Sequence, residues 1–276
     1  MGPDELRLLA VEVAEAASRL LAERACSDLT DVVRGDTIRA DLVAEDVIRE
    51  AIRRSLSDFT MVSEESGVAG STGYVFVVDP LDGSLNYEHC IRWSSVSVAV
   101  APPGSRRLSD VVAGAVAPLW GETLSFARGE GCYEGNRRVY PRASGGRIAF
   151  TYVESLDDAV KVSRLFTAFP GLKMRSLGSA ALEIASVGLG RGLLFVDLRG
   201  KLRNVDVAAA VGLARECGAR VFNETGADVD STITEVSVVG NVIVARGDHR
   251  AILEAISGGG SAPNAVPQQG HDPSHA

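Results

Sequence analysis

The sequence predicts an α/β (α+β) protein, and three observations carry that expectation. Residues 4–25 and 38–57 repeat apolar side chains at three- and four-residue steps, the period of a helix with one buried face. Val75, Phe76, Val77 and Val78 form an uncharged, largely β-branched run, as in a strand buried on both faces. From Ser94 to Ile256, strand-like and helix-like stretches follow one another without a long linker.

The first helix carries Leu9, Val13, Ala17, Leu20 and Leu21 on its apolar stripe, and the second is expected to carry Leu42, Val43, Val47, Ile48, Ile52 and Leu56. Asp41 stands in the first turn of the second helix, where a carboxylate favours the helix dipole, so a plain capping role is open to it. Met61 and Val62 then lead as a short strand into Ser63, Glu64 and Glu65. Adjacent glutamates are ordinarily solvated surface.

The strand at Tyr74 is expected to stop at Asp79-Pro80, because proline lacks the N–H that a sheet ladder needs. Asp82, Gly83, Ser84 and Asn86 follow at once. Two carboxylates at the end of a buried strand repel by about 4 kcal/mol at ~4 Å and an effective dielectric of ~20. A divalent cation that prefers oxygen ligands is the simplest compensation. Turn geometry alone is the other explanation of Asp-Pro and Asp-Gly.

Strands are expected at Ser94–Val100, Val111–Ala117 and Glu122–Ala127, then a hairpin through Gly129–Arg138. Cys132, Gly135 and Arg138 match the C-x-x-G-x-x-R loop of cysteine-dependent phosphatases, where a thiolate attacks phosphorus. That loop joins a strand to a helix, whereas Val139-Tyr140-Pro141 carries no helical pattern. Residues 155–168 read as a helix. Gly178-Ser179 precede another that ends near Val187, and its start could receive an anion or simply be capped by the serine. A strand at Leu193–Leu198 leads through Arg199, Lys201 and Arg203 to Asp206 and a helix over Val207–Cys217. A closing strand (Val236–Ala245) and a helix (Asp248–Ile256) complete the folded unit. Residues 257–276, with His271 and His275, have the composition of a disordered tail.

The net charge of −8 argues against a generic nucleic-acid binder. No apolar run nears the ~18 residues of a membrane span and no signal-like start is present, so the expected compartment is the cytoplasm. Cys26, Cys90, Cys132 and Cys217 form no C-x-x-C pair and are expected to be reduced. With four histidines, only His89 near the central motif, phosphohistidine chemistry is not expected.

The segment Asp79-Pro-Leu-Asp-Gly-Ser-Leu-Asn86 resembles the D-P-[IL]-D-G-[TS]-x-N signature of the inositol monophosphatase family, Mg²⁺-dependent, Li⁺-sensitive phosphatases of small esters. Further segments resemble that family in order. Thr37–Asp41 fits T-x-x-x-D, and Ser63-Glu64-Glu65-Ser66 fits G-E-E-S with serine for glycine. Arg175–Ala181 fits R-S-x-G-[ST]-A-A, and Val205-Asp206 fits the W-D signature with valine for tryptophan.

The resemblance implies a layered α-β-α-β-α sandwich, usually a homodimer. It spans residues 1–256 as a catalytic unit of two intimate halves meeting near 145–155. It also implies two or three Mg²⁺ ions, with Mn²⁺ as a substitute, held by Glu64, Asp79, the Leu81 carbonyl, Asp82 and Asp206. Asp41 and Ser84 would orient the attacking water, Glu64 sharing in catalysis. Gly83, Ser84, Gly178, Ser179 and Asp206 would contact substrate. Arg199 stands where animal members carry an acidic residue on inositol hydroxyls. With Lys201 and Arg203 it would suit a second phosphate, as in fructose 1,6-bisphosphate, since arginine binds phosphate in bidentate fashion. The expected function is hydrolysis of a small sugar or polyol phosphate. A nucleotide such as 3′-phosphoadenosine 5′-phosphate, or a silent binding scaffold of the same fold, is the alternative.

Overall fold

A computed structural model describes residues 1–26, 28–35, 37–141 and 147–257. Helix α1 (Pro3–Glu23) starts with proline at its first position, where the missing N–H costs no bond, and buries Leu9, Val13, Ala17 and Leu21. A hairpin of β1 (Val32–Arg34) and β2 (Thr37–Ile38) leads into α2 (Arg39–Ser55). Both helices cover one face of an eight-stranded sheet. Leu42, expected on the apolar stripe of α2, is exposed instead.

That sheet contains β3 (Phe59–Ser63), β4 (Gly67–Ala69), β5 (Tyr74–Asp82), β6 (Ser95–Ala101), β7 (Ala113–Pro118), β8 (Leu124–Ala127), β9 (Gly131–Glu134) and β10 (Arg137–Val139). Their spatial order is β10-β9-β8-β7-β6-β5-β3-β4, with β3 and β5 parallel and the other neighbours antiparallel. A short helix α3 (Ser84–Glu88) follows β5.

The second sheet contains β11 (Ile148–Thr151), β12 (Lys173–Arg175), β13 (Leu194–Arg203), β14 (Arg220–Phe222) and β15 (Val238–Ala245), in the order β12-β11-β13-β15-β14. Helices α4 (Leu156–Ser163), α5 (Leu165–Ala168) and α8 (His249–Ser257) share a core with its outer face, through Val162, Leu165, Ile252 and Ile256. Helices α6 (Ala180–Gly188) and α7 (Asn204–Glu216) lie between the two sheets and are buried on nearly every side. Their alanines and glycines let backbone approach backbone. The result is the expected α-β-α-β-α layering.

Four further expectations change. Strand β5 does not stop at Asp79-Pro80 but runs on to Asp82. Asp79 pairs with Ser97 and Asp82 with Ser95, so the strand holds one residue more than its partner, and Pro80 lies in that bulge, where a ladder N–H is not needed. Helix α7 begins at Asn204, so Asp206 lies inside its first turn instead of before it. Residues 155–168 divide into α4 and α5 at Arg164. The cysteines are not free: Cys26 is bonded to Cys90 and Cys132 to Cys217, with Cα separations of 5.4 and 5.8 Å. Partners 64 and 85 residues apart are brought together by tertiary structure, which no local spacing rule detects. The expected tail beyond Ser257, with His271 and His275, lies outside the described residues, as does part of the expected boundary at 145–155.

Phe126 of β8 shows how closely the middle layer is fitted. A Cβ at Gly212 of α7 would stand 2.2 Å from its ring, and one at Gly114 of β7 2.9 Å. Gly→Ala in a helix ordinarily gains about 1 kcal/mol. At Gly212 overpacking reverses the sign, and we expect Gly212→Ala to lower unfolding free energy by about 1–3 kcal/mol. A urea midpoint at or above that of the unaltered protein would show that the ring moves aside freely.

Candidate active site

Parallel pairing of β3 and β5 sets the first two carboxylates side by side. Ser63 is opposite Val78, so the next residues, Glu64 and Asp79, emerge together at the same end of the sheet. The Ser63 hydroxyl donates to buried Glu45 of α2, which ties this strand end to the helix above it. From the other half of the chain, α7 supplies Asp206. One carboxylate oxygen from each of Glu64, Asp79 and Asp206 lies within 4.8 Å of the others. At that separation and an effective dielectric of ~20, each pair of ionised groups repels by about 3–4 kcal/mol.

Asp82 faces the start of α6. Its Oδ2 accepts from the Ser179 hydroxyl and, at 2.8 Å, from the Ala181 amide, while Oδ1 accepts from the Ala180 amide at 3.1 Å. Asp82 is therefore not among the three converging carboxylates. It anchors the central motif to the helix that follows Gly178-Ser179. A carboxylate has about four acceptor positions, which leaves Oδ1 able to accept once more.

Asn86 makes a second fastening, its Nδ2 donating to the Leu177 and Trp93 carbonyls at 2.7 and 2.8 Å. Gly83 adopts φ +88° between the two, and a Cβ there would lie 2.9 Å from the Gly178 carbonyl. Glycine at position 83 is thus set by close contact with Gly178. Ser84 opens α3 directly after this turn, and the Leu81 amide donates back to Asp79 Oδ1 at 3.1 Å.

Asp41 performs the capping role that the sequence left open, and Asp206 caps α7 in the same way. Asp41 Oδ2 accepts from the Ile38 amide and Asp206 Oδ2 from the Arg203 amide, each at 2.7 Å. Each cap uses a single oxygen. Asp206 Oδ1 accepts from Arg203 Nη2 at 3.0 Å, and the same nitrogen lies 2.6 Å from Glu64 Oε1. Thr37 donates to Glu65 at 2.9 Å, which fastens the loop before α2 to the strand end carrying Glu64.

The acidic groups are held well away from their ordinary ionisation. Burial, then the fields of Glu64, Asp82 and Asp206, drives the Asp79 pKa far up. Burial raises Asp82 to about 7 against the pull of its Ser179 and amide hydrogen bonds. Asp41 rises to about 7 through burial, with Glu65 and Glu64 adding to it. Burial also raises Glu64 and Asp206, each partly offset by Arg203. The Arg203 guanidinium thus stands against three carboxylates, Glu64, Asp79 and Asp206. Oxygen donors converging in a site with too little positive charge fit a hard divalent cation.

The basic triplet differs from the expected open cationic wall. Arg199 bonds to fully buried Asp197 through Nε, at 3.1 Å to both oxygens, and through Nη2 at 2.5 Å. Its Nη1 contacts Glu154, to which Lys201 Nζ also donates at 2.5 Å. Arg203 belongs to the carboxylate cluster. Asp197, Glu154 and Glu183 were not singled out by sequence. Asp197 had a signal, two residues before Arg199 in a strand. Glu154 had none, because its partners are 45 and 47 positions away. Glu183, fully buried, accepts the Leu177 amide at 2.6 Å and is raised by burial to about 8.

Cys132 lies in the β9–β10 hairpin, bonded to Cys217, with Arg138 opposite Tyr133. It is neither a free thiol nor followed by a helix, so the cysteine-phosphatase loop is absent at that position.

Comparison with known proteins agrees with this architecture. Residues 3–258 match the model of the inositol monophosphatase family. An inositol-1-monophosphatase of Aeropyrum pernix is 43% identical over 94% of this chain and 98% of its own. A fructose-1,6-bisphosphatase/inositol-1-monophosphatase of Methanothermobacter thermautotrophicus is 33% identical over 71% and 75%. Among solved structures, a Pyrococcus horikoshii protein described as similar to inositol-1 monophosphatase superposes with a TM-score of 0.73 at 28% identity, covering 92% of this chain and 97% of that one. With the motifs in order and the layers in place, the chain belongs to the inositol monophosphatase family.

Proposed function

We propose that the protein is a Mg²⁺-dependent phosphomonoesterase that hydrolyses a small phosphorylated polyol or sugar, inositol 1-phosphate first among them. The convergence of Glu64, Asp79 and Asp206 beside Asp41 carries this reading. In it, these three carboxylates with the Leu81 carbonyl and the open position on Asp82 Oδ1 hold the cations, Mn²⁺ serving in place of Mg²⁺. Such cations supply charge that binds phosphate, activates a water and stabilises the leaving oxygen.

The chain's own groups do the rest. Asp41, with its pKa near 7, is suited to take a proton from the attacking water at neutral pH, and Ser84 orients that water. The Gly83 and Ser84 amides bind phosphate oxygens. Gly178, Ser179 and the Arg199–Lys201 wall border the alcohol part of the ester. The relatives' names support both inositol 1-phosphate and fructose 1,6-bisphosphate, and the charge-paired state of Arg199 and Lys201 favours the former. A homodimer in the cytoplasm is the assembly and compartment we propose, supported by family membership. Among the described residues no helix is long and apolar enough to cross a membrane.

The test is phosphate release from inositol 1-phosphate, fructose 1,6-bisphosphate and 3′-phosphoadenosine 5′-phosphate, each with Mg²⁺ and with EDTA. Mg²⁺-dependent release, fastest from inositol 1-phosphate, is expected. Release that survives EDTA overturns the metal-dependent reading.

Ligands and anchor separate by stability. Asp79→Asn removes a buried like charge, so it should abolish turnover by roughly a hundredfold or more and stabilise the metal-free protein by about 1 kcal/mol. Asp82→Asn should also abolish turnover but destabilise by about 1–3 kcal/mol, since it puts an amide against the donors of α6. Equal stability changes in the two variants would contradict the division.

A pH dependence follows from the raised carboxylates. Burial raises Asp41 and Asp82 from the ordinary aspartate value of 3.8 to about 7 in the folded chain. Between those values the folded chain holds protons that the unfolded chain has lost, so stability is lost as pH rises through the folded pKa. In EDTA the melting temperature should fall from pH 5 to pH 8, and the rise on adding Mg²⁺ should grow over the same window. A flat or rising EDTA profile would show that the cluster is already neutralised within the protein.

A further inference from the structure

Glu154 lies between the end of β11 and Ser155, the residue that caps α4. Its amide donates to Asp158 Oδ2 at 3.2 Å, so the backbone is pinned while the side chain, about half exposed, is not. Strands β11 and β13 are parallel neighbours, which brings the chain after Thr151 beside the chain after Val196. There Glu154 meets both Arg199 and Lys201.

These contacts divide into a fixed pair and an exchangeable one. Arg199 and Asp197 have side-chain exposures of 10% and 0%, and the guanidinium stacks over Tyr152 at 4.2 Å, so that pair is held in place. Lys201 and Glu154 are 66% and 47% exposed, so that pair meets solvent and any ligand. The wall borders the active site, since Lys201 stands two residues before Arg203 on β13, and Arg203 bonds to Glu64 and Asp206 at 2.6 and 3.0 Å. Two carboxylates and two cations leave it with no net charge.

From this geometry we propose that Glu154 is a specificity-determining residue that selects a neutral polyhydroxyl moiety over a second phosphate group. Its carboxylate keeps Lys201 and the outer edge of Arg199 occupied and has acceptor positions left for ligand hydroxyls. A phosphate arriving at the same wall must displace that carboxylate and meets its repulsion. The inference rests on the phosphomonoesterase reading above and narrows its substrate.

The experiment uses full-length protein with Mg²⁺ and compares kcat/KM for fructose 1,6-bisphosphate and inositol 1-phosphate. Calorimetric association constants for the same two esters are measured in parallel. Glu154→Gln keeps the shape and removes the charge. It should raise the bisphosphate-to-monophosphate ratio about tenfold by both readouts. Adding Lys201→Met should return the ratio towards its starting value, because the gain comes from the released cation. A ratio within about twofold of the unaltered protein, or a rise that survives Lys201→Met, overturns the role of Glu154. If the unaltered protein turns over neither ester, the phosphatase reading fails separately, and the ratio of association constants still decides for or against Glu154.

Discussion

Carboxylates gathered where there is little water repel one another, and the junction between the two sheets is arranged around that repulsion. Three of the acidic residues are placed at helix starts. Asp41 stands in the first turn of α2, Asp206 in that of α7, and Asp82 accepts the first amides of α6. Helix N-termini carry partial positive charge and unpaired N–H donors, so each position softens the burial of a negative group. Arg203 adds one full charge between Glu64 and Asp206. The remaining excess of negative charge is what a bound cation would offset.

Holding such groups together requires that neither half of the chain shift against the other. The fastening is built from the same motifs that supply the chemistry. Asp82 and Asn86 bond to residues 177–181, and Gly83 permits the close approach that a side chain would prevent. Glu183 holds the Leu177 amide from behind. Asp82, which anchors the junction, and Asp79, which converges with Glu64 and Asp206, are therefore different residues within one short segment. This explains why Asp79 and Asp82, three positions apart, occupy such different surroundings.

Sequence reading reached the helices, the central strand and the acidic residues because they leave local marks, while the layering was implied by the family resemblance. Helical periods in 4–25 and 38–57, and the uncharged run at Val75–Val78, report burial directly. Glu64, Asp79 and Asp206 were found through motifs; the parallel register of β3 with β5 brings the first two together, and α7 adds the third. What escaped was non-local. The bulge at Pro80 depends on Ser95 and Ser97 of the neighbouring strand, and the disulfides join positions from different layers. The basic triplet misled for the same reason. Arg199 and Lys201 look free when read along the chain, and their compensation by Glu154 exists only across two strands.

The contrast between cluster and wall bears on which part of the site takes the phosphate. A phosphate ester is an anion, and the cluster it must approach is acidic, with Arg203 already engaged by two carboxylates. The wall beside it is charge-neutral. Cations held by Glu64, Asp79 and Asp206 would supply the positive field for phosphate that Arg203, engaged by two of those carboxylates, does not. The wall contributes hydrogen-bonding selectivity without competing for the phosphate. A free arginine there would bind phosphate on the wrong side of the ester, away from Asp41 and Ser84. In the proposed reaction, pairing Arg199 with Asp197 and Glu154 would leave a cation-filled cluster as the strongest phosphate acceptor and so direct the ester to the orientation in which it can react.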